Sequence, residues 1–176
     1  MSAAAAMSPV PMVAQFLETY RQEHATTMRV LKAIPPDQLA FKPHEKSMSC
    51  GELAWHVAYS PLGIAKAIAA GDFGVYQQPP TPNDLQAIVA GAETYYNLAC
   101  ETVAKFTPET LQGNIPIPNG QKLPSAAFFW VNLFHLIHHR GQLVLMTRLA
   151  GGTPPGMYGP NREAMQKMKE AMQAQR

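Results

Sequence analysis

The chain has 176 residues, of which 14 are basic and 12 acidic, giving a formal net charge of +2. This length fits one domain with a hydrophobic core, and no cluster of Lys and Arg offers the basic surface that nucleic acids or anionic membranes require. No segment approaches the roughly 18 uncharged apolar residues that a membrane-spanning helix needs. We therefore expect neither a nucleic acid nor a membrane as a partner.

The two cysteines, Cys50 and Cys100, form no C-x-x-C pair. We predict two reduced thiols in a cytoplasmic protein, with a single disulfide as the alternative. Residues 1–8 lack the basic start and the length of a signal peptide. They are predicted to be a frayed tail on a single domain that spans residues 1–176.

Proline, glycine and apolar spacing predict the first two helices. Apolar residues recur at helical spacing over residues 10–34, and Pro35 and Pro36 end this first helix. Residues 49–52 read Ser-Cys-Gly-Glu, the pattern of a capping box. A second helix is therefore predicted from Cys50 to about Ala70.

A third helix is predicted to begin after Thr81 as its N-cap and to continue to about Phe106, with Pro108 as its boundary. Prolines alternate with apolar residues between 107 and 124, around an Asn-Gly pair. This pattern favours a turn or a small hairpin around residues 113–122 and disfavours a helix.

The fourth helix is predicted from Ser125 to about Ala150, and a short amphipathic helix should end the chain. The fourth helix is apolar almost all round, which is typical of a helix that is wholly buried. A central or interface position in a helical bundle would bury it, so we expect a homodimer. Four long helices predict an all-α four-helix bundle, in which metal sites are built from facing side chains.

Histidines cluster in the fourth helix. His135 and His139 are four residues apart, so both imidazoles can point at one metal ion from one helical face. This is the spacing of the H-E-x-x-H zinc motif, but no glutamate follows the first histidine here. His56, the only histidine of the second helix, is the predicted third ligand. Three protein ligands would leave an open position on the ion.

Other residues near this cluster have competing interpretations. His138 could pair with His135 at a spacing of three residues, but it falls on a different face and is expected to form a hydrogen bond, cap the site or face a partner subunit. His24 is expected in the core or at its boundary, with a place in the cavity wall as the alternative. Arg140 could bind a substrate carboxylate, although a structural ion pair with Glu52, Glu93 or Glu101 is favoured. Gln142 could orient a ligand histidine.

Cys50 and His44 are the remaining candidates. A position at a helix N-terminus lowers the pKa of a thiol, but no histidine is clearly placed to act as a base for Cys50, so a nucleophilic role is not expected. His44 lies in a predicted loop and is expected to be exposed without a role.

Three segments carry a resemblance to the DinB/YfiT-like family of metal-binding proteins. They are residues 41–58, with F-K-P, S-M-S and E-L-A-W-H-V-A, residues 135–142, with H-L-I-H-H-R-G-Q, and residues 154–159, with P-P-G-M-Y-G. The resemblance implies an up-down-down-up four-helix bundle, often dimeric, with a divalent ion such as zinc or nickel on three side chains. Carried over to this chain, these are His56, His135 and His139.

The resemblance also implies several activities. Some relatives are S-transferases or isomerases that use low-molecular-weight thiols, and others are proposed to be metal-dependent hydrolases. The first ligand of the helical pair is a glutamate in some transferases, whereas this chain has His135 there. We expect a metal-dependent transferase acting on a small molecule, with a hydrolase and a non-enzymatic metal-binding or small-ligand-binding dimer as alternatives.

Overall fold

A computed structural model describes residues 10–117 and 120–175, so the predicted frayed tail at residues 1–8 lies outside the described residues. Within those two ranges the chain forms six α-helices and one antiparallel hairpin. The helices are α1 (Pro11–Leu31), α2 (Cys50–Ala70), α3 (Leu85–Ala104), α4 (Pro108–Gln112), α5 (Ser125–Leu149) and α6 (Arg162–Ala174), and the strands are β1 (Asn114–Pro116) and β2 (Lys122–Pro124).

The four long helices α1, α2, α3 and α5 form the predicted all-α bundle. α2 packs mainly against α3 and α5, and α1 packs against the same two helices. The approach of α3 to α2 depends on a glycine, because a Cβ atom built on Gly91 would lie 2.4 Å from Cζ3 of Trp55. Buried side chains from all four helices form one continuous core. Most residues of α2 are buried in it.

The predicted limits of α2 are confirmed. Ser49 Oγ accepts a hydrogen bond from the Glu52 N–H at 3.2 Å, and a Glu52 carboxylate oxygen accepts one from the Ser49 N–H at 2.6 Å. The helix ends at Gly71, whose φ of 66° is in the left-handed region that favours glycine. These two local signals fix where His56 sits on the helix.

The predicted start of α3 was wrong by three residues. Asp84 is the N-cap, and its carboxylate accepts a hydrogen bond from the Ala87 N–H at 2.9 Å. Thr81 lies in the preceding loop instead. Both residue types are good N-caps, but a carboxylate also interacts favourably with the positive end of the helix dipole.

We expect Asp84→Ala to lower the free energy of unfolding by about 1 kcal/mol, because the first turn of α3 loses its cap. Thr81→Ala is the matched control and should change it by less than about 0.5 kcal/mol. Urea denaturation of both variants measures the difference. A larger loss of unfolding free energy for Thr81→Ala than for Asp84→Ala would show that Thr81 is the N-cap, as the sequence predicted.

The hairpin prediction is confirmed, and the exclusion of helix from the whole segment was wrong. Ile115 pairs with Leu123 in the antiparallel β1–β2 ladder. The short helix α4 precedes it, with Thr107 as its N-cap and Pro108 in its first turn. Threonine followed by proline is a helix-start signal, which here produces little more than one turn. The Pro118-Asn119 part of the turn lies outside the described residues.

α5 is not wholly buried within one chain, and the predicted interface position remains a prediction. An exposed stripe runs along one side of α5, and we define it by four side chains that are 42–63% exposed: Val131, Phe134, Leu145 and Leu149. α6 likewise buries none of its residues. No helix within the described ranges is long and apolar enough to cross a bilayer.

Candidate metal centre

Helices α2 and α5 bring the candidate ligands together. The buried Asn132 side chain on α5 donates a hydrogen bond to the Pro61 carbonyl of α2 at 3.0 Å. This contact lies about one helical turn from His135 on α5 and from His56 on α2. It fixes the two helices relative to each other, so His56 faces the pair formed by His135 and His139.

The three imidazoles converge on one point. His56 Nε2 lies 3.3 Å from His135 Nε2, and the three ring centroids are 4.4–5.0 Å apart. One ring nitrogen from each of His56, His135 and His139 lies within 4.8 Å of the other two, and all three residues are half-buried. The structure therefore brings together the three histidines that the sequence singled out. That they bind a metal ion remains a prediction.

Two glutamines set the tautomers of His56 and His139. Gln78 Oε1 lies 2.9 Å from His56 Nδ1, and Gln142 Oε1 lies 2.7 Å from His139 Nδ1. An amide oxygen only accepts, so both Nδ1 atoms must donate, and the lone pair of each neutral ring is then on Nε2. Both Nε2 atoms are thereby prepared as ligands.

The electrostatics of the cluster also favour neutral rings. Burial, together with the neighbouring His139, His56 and His138, lowers the pKa of His135 to about 4. Burial also lowers the pKa of His139, with His56 and His138 acting in the same direction and the Gln142 hydrogen bond opposing them. Neutral imidazole is the form that binds a metal ion, so a cation entering at pH 7 displaces no proton from these two rings.

The donor set fits a divalent metal ion. Three neutral imidazole nitrogens suit zinc, nickel, copper or iron. His135 Nδ1 is buried and has no hydrogen-bond partner among the described residues. His135 Nε2 lies 3.3 Å from His56 Nε2, and because the lone pair of His56 is on that atom, His135 Nε2 donates in this contact.

A cleft of about 390 Å³ adjoins the cluster. It lies between the connector that precedes α2 and the C-terminal half of α5. His139 and Gln142 form part of its wall. The cleft therefore gives a small molecule access to the histidines from the side of His139.

The other histidines lie away from this point. His138 is exposed, and its ring stands edge-on to that of His139 at 4.9 Å. His24 stacks on Tyr96 with ring centroids 3.8 Å apart and pairs with Glu93 at 3.1 Å, so the boundary position expected for it is confirmed. His44 is exposed, as predicted.

Arg140 has the structural role that was favoured, but with a partner that sequence analysis missed. Its side chain is 1% exposed and forms an ion pair with Glu23 of α1. It also donates to the Glu23 carbonyl at 2.9 Å and to the Tyr158 hydroxyl at 2.6 Å. Tyr158 in turn donates to the Glu23 carboxylate at 2.9 Å. This buried network joins α1, α5 and the loop before α6 beside the histidine cluster.

Cys50 is fully buried, and burial raises the pKa of its thiol to about 11. Desolvation therefore outweighs the effect of the helix N-terminus, and the thiol is protonated at pH 7. Both cysteines are free, as predicted, and the expectation that Cys50 is no nucleophile agrees with its environment.

We expect Gln142→Leu and Gln78→Leu each to weaken zinc binding by about 10- to 100-fold, because His139 and His56 lose the acceptors that orient them. Calorimetric titration of the metal-free variants measures the change. Gln77→Leu, next to Gln78 in the same loop, is the control and should bind zinc like the wild type. Unchanged affinity in both test variants would show that these hydrogen bonds do not prepare the site.

Known proteins resemble this chain over most of its length. The sequence model of the DinB family matches residues 1–174. The uncharacterized protein YrdA of Bacillus subtilis (strain 168) is 29% identical over 160 residues, which cover 86% of this chain and 91% of YrdA. The uncharacterized protein YjoA of the same organism is 28% identical over 148 residues, which cover 82% of this chain and 94% of YjoA.

Solved structures agree with the fold. The crystal structure of YjoA, a DinB-like protein, matches with a TM-score of 0.68 at 28% identity, covering 84% of this chain and 99% of that one. A DinB-like protein from Bacillus cereus ATCC 10987 matches with a TM-score of 0.67 at 23% identity, covering 81% of this chain and 95% of that one. The helical bundle predicted from the sequence is thus also the fold of these proteins.

Proposed function

Because the chain belongs to the DinB family, we propose that it binds a divalent metal ion, zinc or nickel, through His56, His135 and His139 and uses it to transfer a thiol to a small electrophile. The observation that carries this proposal is the convergence of three imidazole nitrogens within 4.8 Å of one another. A bound divalent ion supplies a site at which a thiol loses its proton at neutral pH.

The residues of the chain position the reactants. Gln78 and Gln142 hold two imidazoles with Nε2 toward the common point, and the cleft beside His139 admits the small molecule. In the transfer, the thiolate sulfur forms a bond to an electrophilic carbon. The bond from that carbon to its leaving group breaks with its electron pair, and the proton released by the thiol ends on the leaving group through solvent.

Transfer is favoured over hydrolysis because a hydrolase needs a general base for water. Among the described residues, no Asp or Glu belongs to the histidine cluster or lines the cleft. Glu52 is one helical turn from His56, but its carboxylate caps α2 and lies 3.8 Å from the Lys42 ammonium. A hydrolase is therefore the second candidate, and a non-enzymatic binder is the third.

Spectroscopy of the cobalt-loaded protein with small thiols tests the proposal. We expect thiols at millimolar concentration to change the visible spectrum, and zinc- or nickel-loaded protein to consume thiol together with a panel of alkylating electrophiles. His138→Ala should retain both results, and His135→Ala should lose both. Ester hydrolysis without thiol consumption would favour the hydrolase, and metal binding without turnover would favour the binder.

The proposed location is the cytoplasm, where the free thiols of Cys50 and Cys100 would stay reduced.

The proposed assembly is a homodimer formed by the exposed stripe of α5. An antiparallel two-fold axis near residue 140 would place Phe134 against Leu145 of the partner subunit and His138 against Gly141 of the partner subunit. A Cβ atom on Gly141 would meet nothing within 4 Å, so this surface has room for a ring.

The only charged side chains between Val131 and Leu149 are Arg140 and Arg148, and both are paired within their own chain. The stripe is therefore apolar and without an unpaired Lys, Arg, Asp or Glu, which suits a two-fold interface in which the same surface meets itself.

Sedimentation at micromolar concentration tests the dimer. We expect the wild type to sediment as a dimer and Phe134→Glu as a monomer, because the substitution places two carboxylates in the interface. Leu98→Glu on α3, at a side chain that is 41% exposed, should remain dimeric. A monomeric wild type, or equal dissociation of the two variants, would contradict this assembly.

A further inference from the structure

The cleft beside the histidines has the dimensions of a small-molecule site. Its volume of about 390 Å³ lies within the range of roughly 300–1,000 Å³ typical of such sites. Its polar end is formed by His139 and Gln142, and Ser47 contributes a hydroxyl. The cleft is therefore a binding site in its own right as well as an entrance to the histidine cluster.

The lining of the cleft is apolar and carries no formally charged side chain. Six of its nine residues are apolar: Pro43, Met48, Leu53, Leu145, Met146 and Leu149. Leu145 and Leu149 also belong to the exposed stripe of α5, so in the proposed dimer the partner subunit would border the outer edge of the cleft. In the metal-free protein, an ionised group that enters such a surface loses its hydration without gaining a counter-charge. An uncharged chain gains free energy from the same surface in proportion to the apolar area that it buries.

The apolar lining of the cleft runs along α5, away from His139. On α5 the residues His139, Gln142, Met146 and Leu149 follow one another at spacings of three or four, so they share one helical face. From His139 to Leu149 this face extends about 15 Å along the helix. A molecule whose polar end lies at His139 would therefore direct its remaining atoms along apolar side chains toward the C-terminal end of α5.

From this arrangement we infer that the substrate is a small molecule with an uncharged aliphatic chain, its reactive polar end at His139 and its chain along the apolar cleft. The role of the polar end rests on the proposed function. Binding of the chain needs no metal ion, because the residues that contact it are separate from the histidine ligands.

Binding of the aliphatic chain can be tested separately from metal binding. Linear alcohols from 1-butanol to 1-octanol are titrated into metal-free protein at pH 8. Burial of one methylene is worth about 0.8 kcal/mol, which is about threefold to fourfold in affinity. We expect this increment for each added carbon until the cleft is full. Hexanoate should bind at least tenfold more weakly than 1-hexanol. Methyl resonances of labelled methionines locate the binding, and those of Met48 and Met146 should shift.

Met48→Glu and Met12→Glu form a matched pair of variants. Met48 lines the cleft and is 45% exposed, whereas Met12 is 37% exposed on α1, outside the cleft. Met48→Glu should weaken 1-octanol binding at least tenfold, and Met12→Glu should leave it unchanged. Both should bind zinc like the wild type, since neither touches a candidate ligand.

Equal affinity for all chain lengths, for hexanoate and 1-hexanol, or for the two variants would overturn the inference. If alcohol affinity rises with the length of the alcohol but zinc does not bind, the proposed function fails and the inference about the aliphatic chain stands. If zinc binds at the histidines but the alcohols bind without preference, the inference alone fails.

Discussion

Replacing Arg140 with methionine should lower the free energy of unfolding by about 3–5 kcal/mol. The guanidinium is 1% exposed and pairs with Glu23, whose side chain is only 11% exposed. Without the arginine, the Glu23 carboxylate stays buried with the Tyr158 hydroxyl as a donor but with no cation. Urea denaturation of metal-free protein measures the loss.

Arg148→Met is the matched control for Arg140→Met. Arg148 pairs with Glu163 at 2.7 Å, but both side chains are more than 40% exposed, and such pairs contribute about 0–1 kcal/mol. Adding Glu23→Leu to Arg140→Met should restore part of the lost stability, because the unpaired carboxylate is then gone. Similar losses for the two arginine variants would show that the Arg140 network does not stabilise the bundle.

Replacing His56, His135 or His139 singly with alanine should reduce zinc affinity by more than the roughly 10- to 100-fold expected for loss of an outer hydrogen-bond partner. Each substitution removes one of three candidate ligands from an ion that already has an open position. Calorimetry and metal analysis after dialysis measure the effect. The expected result is about one zinc ion per wild-type chain and little or none in each variant.

His138→Ala is the control for this series, because its ring adjoins His139 but lies outside the cluster. It should bind zinc like the wild type. Circular dichroism and thermal unfolding of the metal-free variants establish that each one folds. Equal metal content in all four variants would place the metal site elsewhere in the chain.

Local signals in the sequence were sufficient for much of the fold and for the histidine cluster. The capping box at Ser49 and the glycine at position 71 fixed both ends of α2. The spacing of His135 and His139 depends only on helical geometry. His56 could be added because α2 contains no other histidine. The resemblance to the DinB family agrees with the family model that matches residues 1–174, and the bundle agrees with the YjoA structure.

Contacts between distant segments could not be predicted in the same way. Gln78 lies in a loop without periodicity, 22 residues from the histidine that it contacts. Glu23 is 117 residues from Arg140, and three other glutamates were equally good candidates from sequence. Tyr158 lies in a tight loop, in which a Cβ atom on Gly156 would lie 2.1 Å from the Gly159 carbonyl oxygen, and the sequence does not indicate that this loop reaches Glu23.

The misplaced start of α3 and the incomplete burial of α5 have related causes. Thr81 and Asp84 are both cap residues, and only the folded loop shows which one has its side chain at an exposed N–H. The apolar composition of α5 predicted burial, but composition does not distinguish burial within one chain from burial against another. The exposed stripe of α5 is the part that this chain leaves uncovered.

The proposed metal site joins three imidazoles from α2 and α5 around one cation. Anomalous diffraction from crystals of the zinc-loaded protein, recorded on both sides of the zinc absorption edge, would locate the ion. We expect one strong peak at about 2.0–2.1 Å from a ring nitrogen of each of His56, His135 and His139. A peak bound by other residues, or no peak between these rings in protein that contains zinc, would contradict it.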